Sequence, residues 1–366
     1  MHQHIMLGAE MGGSVKKIIK RWITYFLTWA LIATAITPFS SIKHASAAVR
    51  LTGKTKSAAY SKTAYGQHGK LQVRGTKLVD KQGKTVQLRG ISSHGINWDV
   101  GEPFVNEKAM QNLRDEWGIN CFRVAMYTED YNGYCVTDAQ SRKKLLQKID
   151  IAVKAGKKLG MYVIIDWHIL NDGSPKTHQK EAKAFFKKVA KKYKSYGNVL
   201  YEICNEPNGG TSWQTIKSYA GSVIKVIRKY NNKAVVIVGT PTWSQDVDEA
   251  AKSPLKGKNI MYAFHFYAAT HGDFLRNKVR TALSQGLPVF CSEFSACDSS
   301  GNGNYDFRSA KEWLKLMNQN NISYCCWSLS NKPESASLLK PGCKKTSGFR
   351  TSDLSKMGKW LVRQYR

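Results

Sequence analysis

Between residues 86 and 328 one pattern recurs eight times: a short apolar run rich in Val, Ile, Phe or Tyr, followed by a polar segment with apolar residues at helical spacing. The runs are 86–92, 119–125, 161–166, 198–204, 234–239, 260–267, 288–293 and 322–328. Between two of them Ala182, Phe185, Phe186, Val189, Ala190 and Tyr193 fall at i, i+3, i+4, i+7, i+8 and i+11, which makes one apolar stripe on a helix. Leu145, Ile149, Ala152, Val153 and Gly156 repeat this one unit earlier, and Tyr219, Val223, Val226 and Ile227 one unit later. Strands that read as continuous apolar runs are buried on both faces, as in a parallel sheet covered by helices. Eight strand–helix units over roughly 280–300 residues predict an α/β fold of the (β/α)8 TIM barrel type. An open, doubly wound sheet is the alternative, and the absence of a glycine-rich turn after the first strand argues against it.

Upstream, Lys16, Lys17, Lys20 and Arg21 precede the apolar stretch Trp22–Ile36, and Ala45-Ser46-Ala47 supplies small residues for cleavage. Basic, apolar and small regions in that order predict a signal peptide over residues 1–47, with Met11 as an alternative start. A retained anchor competes, because the apolar run to Ile42 approaches the length of a membrane span; Pro38 and the small-residue site favour removal. The expected mature protein is therefore secreted and extracellular, with no stable membrane association. Residues 48–66 lack an apolar period and predict a linker or loose N-terminal arm. Residues 67–366 form the main domain, opening with a hairpin whose turn is expected near Lys81–Gly83.

The formal net charge is +30; residues 1–47 hold five Lys/Arg and one Glu, so their removal leaves +26. Lys154, Lys157, Lys158, Lys187, Lys188, Lys191 and Lys192 lie in helix-period segments, which suits solvated helix faces. No nucleic-acid motif accompanies the charge, so nucleic acid is not an expected partner; a weak association with anionic wall polymers is. Of eight cysteines, Cys121, Cys204, Cys291, Cys325 and Cys326 sit in apolar runs as small hydrophobes, while Cys135, Cys297 and Cys343 in loop-like sequence are the disulfide candidates. Without CxxC or Cys/His ligand spacing, no metal is expected.

In a (β/α)8 barrel the functional residues gather at the C-terminal ends of the strands. Those ends carry His94, Arg123, Asp166-Trp167-His168, Asn205-Glu206-Pro207, Thr242-Trp243, His265 with Tyr267, Glu293, and Trp327. Taken singly, each has an ordinary structural explanation, and Glu202 inside the fourth strand reads as the buried partner of Arg89 or Arg123. Their coincidence on one rim points to chemistry. Carboxylates ending strands four and seven suit retaining glycoside hydrolysis, in which one attacks the anomeric carbon and the other protonates the leaving oxygen. Arg123 and Tyr267 can hold Glu293 ionised as nucleophile, while a partly desolvated Glu206 keeps its proton. Asn205 can meet a sugar 2-hydroxyl, and the rim tryptophans offer flat faces for pyranose rings.

The strings Phe-Arg123-Val-Ala-Met-Tyr127, Val-Ile-Ile-Asp-Trp-His168, Tyr-Glu-Ile-Cys-Asn205-Glu206-Pro, Ala-Phe-His265-Phe-Tyr267, Ser-Glu293-Phe and Trp327-Ser-Leu-Ser-Asn-Lys332, with His94-Gly95 and Trp243-Ser-Gln, resemble glycoside hydrolase family 5 endoglucanases of the bacterial secreted type. The resemblance runs in order from about Leu71 to the C-terminus. It implies endo-hydrolysis of β-1,4-glucan with retention and neither metal nor organic cofactor. It implies Glu206 as acid/base, Glu293 as nucleophile, and Arg123, Asn205, His265 and Tyr267 as their support. By the same resemblance His94, His168 and Trp327 line the cleaving subsite, while Trp98, Tyr127, Trp243, Lys332 and Glu334 line flanking sugar subsites. The loops after the first strand and after Glu293 depart from the family pattern: Asn97-Trp98-Asp99-Val100-Gly101-Glu102 is less aromatic, and Phe294-Ser-Ala lacks a Trp-Gly. Two other readings stand beside this one: the same chemistry on mixed-linkage β-glucan, xyloglucan or mannan, and a non-catalytic basic barrel that binds wall polysaccharide.

Overall fold

The computed structural model describes residues 49–366 except Ser57; the expected signal peptide and its cleavage site lie outside them. Eight parallel strands close into a barrel: β3 (Arg89–Ser93), β4 (Cys121–Tyr127), β5 (Tyr162–His168), β6 (Val199–Glu202), β7 (Val236–Val238), β8 (Ile260–Tyr267), β9 (Val289–Ser295) and β10 (Tyr324–Leu329). Closure is by β10 on β3, with Tyr324 opposite Arg89, and the longest ladder pairs Cys121–Tyr127 with Tyr162–His168 in continuous register. The (β/α)8 barrel expected from the repeats is the fold observed.

Alternation along each strand sorts the side chains. Outward residues such as Val163, Ile165, Tyr201, Phe264 and Phe266 join the core between sheet and helices. Inward residues from the lower halves of the strands, including Cys121, Ile164, Leu200, Ile237, Met261, Phe290 and Cys325, fill the barrel interior. Above this apolar plug the inward positions turn polar: Ser92, Arg123, Asp166, Glu202, His265 and Ser292 are all buried. Six of the eight strands therefore change character along their length, apolar where the barrel must be filled and polar where it opens.

The helices follow the stripes read from the sequence. Helices α2 (Glu107–Trp117), α3 (Ala139–Leu159), α4 (Gln179–Lys192) and α5 (Trp213–Tyr230) bury one face each, on α4 Ala182, Phe185, Phe186, Val189 and Ala190. Phe185 packs on Trp167 of β5 with ring centroids 5.1 Å apart. Asp138 starts α3 by accepting from the Gln140 and Ser141 N–H groups, and Gly160 ends it in the left-handed region at φ 67°. A Cβ at Gly160 would lie 1.9 Å from the Thr63 hydroxyl, so close packing also requires glycine there. The ring is completed by helices at Val247–Lys252, Asp273–Ser284, Phe307–Gln319 and Lys356–Tyr365.

Two expectations are corrected, and a third is extended. The described part of 48–66 is no loose arm: Leu51 is buried in the core, the Thr52 and Gly53 N–H groups donate to Glu116, and Ala64–His68 (α1) is helical. The hairpin of β1 (Gln72–Arg74) and β2 (Lys77–Val79) turns at Gly75-Thr76. The turn expected at Lys81–Gly83 is also present, with the Asp80 N–H donating to the Lys84 carbonyl and Val79 bridging Thr85, so the chain doubles back twice and the turn at Gly75-Thr76 is the addition. All eight cysteines are free thiols, including Cys135, Cys297 and Cys343, which stand on different loops of the barrel. No described helix is long and apolar enough to cross a membrane.

Candidate active site

The mouth of the barrel opens into a cleft of about 670 Å³. Twelve residues expected from the sequence line it: His94, Trp98, Tyr127, His168, Glu206, Trp243, His265, Tyr267, Glu293, Trp327, Lys332 and Glu334. Arg123 and Asn205 lie just beneath, fully buried. Sequence reasoning missed Asp130, Leu170, Gln245, His271, Ser299, Ser300 and Gly301, which belong to the loops beyond the strands and so fell outside a reading of strand ends.

Glu293, near the end of β9, is held from two sides: Arg123 Nη1 lies 3.0 Å from Oε2, and the Tyr267 hydroxyl donates to Oε1 at 2.8 Å. Burial alone would push this carboxyl up, yet the charges of His265 and Arg123 outweigh it, so the group titrates below the ordinary carboxylate range. Glu206 differs. Burial raises it, the His265 contact opposes that rise, and the nearby Glu293 charge adds to it. One oxygen of each carboxylate and one ring nitrogen of His265 lie within 4.8 Å of one another. Two facing carboxyl groups thus sit in environments that drive their protons in opposite directions.

Beneath them Arg123 organises three carboxylates, with contacts of 2.7 Å to Glu202, 3.0 Å to Glu293 and 3.0 Å to Asp166. Of the two partners the sequence offered Glu202, the structure selects Arg123. Asp166 accepts from His168 Nδ1 at 2.6 Å, which leaves His168 Nε2 to accept from Asn205. The second Asn205 N–H donates to the Ile169 carbonyl, and its oxygen accepts from Arg123. Both amide hydrogens are therefore engaged, and contact with a sugar 2-hydroxyl requires one of these bonds to be exchanged. Burial and the Arg123 charge lower His168 to about 3, and burial and Lys332 do the same for His94; both rings are neutral at ordinary pH.

Aromatic rings pave one wall. Trp327 stacks on His168 with centroids 5.3 Å apart and tilts against His94, while Trp98 packs on Tyr127 at 4.5 Å. Trp98 Nε1 donates to the Tyr131 carbonyl, and Lys332 pairs with Glu334 at 2.5 Å. Across the cleft Trp243 stands 45% exposed on an unusual turn. Thr242, Trp243 and Ser244 have φ values of 55°, 54° and 58°, a left-handed run of non-glycine residues. The Trp243 N–H donates to the Pro207 carbonyl, and the Ser244 hydroxyl donates to the Asn205 carbonyl at 2.6 Å. The turn that displays Trp243 is thereby tied to the strand end that carries Glu206.

At the rim Glu129, Asp172 and His178 also approach within 4.8 Å, a spacing that suits a divalent cation. These groups satisfy one another and the chain: the Thr128 hydroxyl donates to Asp172, and His178 pairs with Glu129 at 3.0 Å.

Two carboxyl groups, one lowered and one raised, opposed across a cleft walled with aromatic rings at the top of a (β/α)8 barrel are the arrangement that suits a glycoside hydrolase. The cellulase model of glycosyl hydrolase family 5 matches residues 79–333, and the chain belongs to that family. It is 47% identical over 298 residues to endoglucanase A of Butyrivibrio fibrisolvens, covering 81% of this chain and 68% of that one. It is also 47% identical to an endoglucanase of Clostridium saccharobutylicum, covering 81% and 64%; the chain thus spans about two thirds of the length of these curated relatives. Among solved structures it is similar to the catalytic domain of Thermobifida fusca endoglucanase Cel5A in complex with cellotetraose, with TM-score 0.77, 38% identity, and coverage of 83% and 99%. It is likewise similar to cellulase Cel5C_n, with TM-score 0.79, 39% identity, and coverage of 85% and 95%.

Proposed function

We propose that this chain is a secreted endo-β-1,4-glucanase that cleaves internal bonds of cellulose and related glucans with retention of configuration. The observation that carries the reading is the opposed pair: Glu293 is lowered and Glu206 raised, with oxygens within 4.8 Å. Retaining enzymes place their two carboxyl groups about 5–5.5 Å apart, whereas inverting ones leave room for a water between them. Glu293 attacks the anomeric carbon as the glycosidic bond breaks, and Glu206 gives its proton to the leaving oxygen. In the second half, water attacks the same carbon, its proton passes to Glu206, and Glu293 leaves, so one water is consumed per bond cleaved. Arg123 and Tyr267 keep the nucleophile charged until it attacks. The rings of Trp327 and Trp243 supply apolar faces for the sugars on either side. The cellotetraose held by the Thermobifida fusca relative supports a β-1,4-glucan substrate, and the basic, apolar and small-residue order of residues 16–47 supports export.

Glu206→Gln and Glu293→Gln should each lower hydrolysis of carboxymethylcellulose by about 10³-fold or more with thermal unfolding little changed. Proton NMR of early products should show the β-anomer first. Full activity in either variant, or an initial α-anomer, would remove this reading. Rates on a panel of defined glucan, xyloglucan and mannan oligosaccharides separate the β-1,4-glucan assignment from its alternatives.

A further inference from the structure

At the end of the barrel opposite the catalytic cleft, a groove of about 660 Å³ lies among the segments that lead into the strands: the β1–β2 hairpin, the turn from α5 to β7, and the approaches to β8 and β9. Its apolar lining includes Val73, Leu255 and Pro288, and its charged residues are Arg74, Lys233 and Lys258, all three exposed. Among the described residues no aspartate or glutamate lines it. None of the three cations pairs with a carboxylate there, and the only hydrogen bonds of Lys233 and Lys258 are made by their backbone carbonyls, which accept from Asn259 and Arg228. More positive charge stands close by. Burial, and after it the charges of Lys233 and Arg228, hold the Lys70 ammonium below its ordinary value. The Arg228 guanidinium is spent on the carbonyls of Ala234, Lys258 and Asn259, which carry no countercharge. Elsewhere the chain relieves such crowding, as where Asp150 pairs with Lys154 and Lys192. Here like charges gather around a groove without relief, and the resulting potential favours an anion.

We propose that this groove is a second carbohydrate site, which holds an acidic polysaccharide: pyranose faces rest on Val73, Leu255 and Pro288 while uronate carboxylates meet Arg74, Lys233 and Lys258. The lining selects this occupant over the other polyanions. A polyol phosphate chain has no ring face to set against the apolar residues, and a neutral glucan would leave the cations without partners. A uronate polymer offers both an apolar ring face and a charge on each sugar, and the amides of Asn232 and Gln285 can meet its hydroxyls. Because groove and cleft lie at opposite ends of the barrel, a polymer held in the one leaves the other open. The enzyme can then stay anchored in an acidic matrix while it cuts a neutral chain.

The test is affinity electrophoresis of the protein through gels that contain polygalacturonate, its methyl ester or polyglycerol phosphate, at about 0.15 M salt, where scattered surface charges are largely screened. The triple variant Arg74→Gln, Lys233→Gln, Lys258→Gln should bind polygalacturonate about tenfold more weakly, the scale of three exposed ion pairs, with hydrolysis of cellotetraose unchanged. A control that replaces the exposed Lys311, Lys315 and Lys344 by glutamine removes the same charge away from the groove, and should lose no more than roughly twofold. Leu255→Asn removes no charge and should still weaken binding, since a ring face loses its support. Equal losses in the two triple variants, an unretarded parent protein, a Leu255→Asn variant that binds like the parent, or equal retention by the uncharged methyl ester overturns the proposal. Tighter binding of polyglycerol phosphate than of polygalacturonate overturns the choice of occupant. The proposal does not depend on the roles of Glu206 and Glu293: a protein that binds polygalacturonate through the groove but leaves cellotetraose intact would remove the glucanase reading and support this one.

Discussion

Arg123 is one guanidinium among three carboxylates, and its position governs which of them stay charged. Burial acts to raise Glu202, but Arg123 and His265 overcome it and depress the group from 4.5 to about 2. A depressed carboxyl contributes stability that is present above its ordinary value and lost as pH falls toward 2. His265, raised from 6.5 to about 9, behaves in the opposite sense: its contribution is present below 6.5 and lost as pH rises through 9. Thermal unfolding followed across pH should therefore show a broad plateau that declines below about 4.5 and again above about 6.5; a melting temperature that keeps rising beyond pH 9 would contradict the cationic His265. Arg123→Ala leaves buried carboxylates without their partner and should cost about 3–5 kcal/mol of stability, measured by urea unfolding. The same side chain touches Glu293, so activity should fall with it.

At the scale of elements, the strands place the chemistry and the helices hold the strands. Phe185 of α4 packs on Trp167, whose neighbours Asp166 and His168 point the other way into the site. Phe185→Ala should lose about 3–5 kcal/mol by urea unfolding, with kcat of the folded fraction close to that of the parent. The left-handed turn at Thr242–Ser244 is different in kind, because backbone of this type costs about 1–3 kcal/mol per residue and persists only where its surroundings enforce it. Here the bonds to Pro207 and Asn205 enforce it, and the return is an exposed indole on the cleft that Glu206 also lines. Trp243→Ala should raise KM for longer oligosaccharides roughly tenfold, the equivalent of one aromatic contact worth ~1.5 kcal/mol, while kcat changes little. A loss confined to kcat would place Trp243 in the chemistry instead.

For the whole molecule, part of the positive charge lies on helices whose residues do not line the cleft. Helices α3 and α4 carry basic residues along their outer faces with only Asp150 and Glu181 against them, and Asp150 is itself paired with Lys154 and Lys192. Replacing the exposed Lys143, Lys144, Lys183, Lys187 and Lys191 by glutamine should leave hydrolysis of neutral glucan unchanged while weakening retention on an anionic polymer column; reduced hydrolysis would show the charge to be part of the site. The barrel was legible because its rule is local: a strand buried on both faces must be apolar over most of its length, and a helix covering it must be striped, whatever the rest of the chain does. Arg123, Glu206 and Glu293 stood out in the sequence as charges at the ends of such strands. Asp130, Gln245 and His271 did not, since loop residues carry no periodicity and only the folded barrel brings their loops over one cleft. Nor did the sequence reveal the anchored N-terminal arm, where polar backbone finds acceptors some sixty residues away at Glu116. The chain by itself thus determined the barrel and the groups at its rim, because periodicity and misplaced charge are properties of a stretch of residues. Only the tertiary structure decided that Glu202 pairs with Arg123, that Asn205 spends both its hydrogens inside the protein, and that Ser292 joins Glu202 to His265. Those are distances between strands far apart in sequence, and proton placement depends on distance.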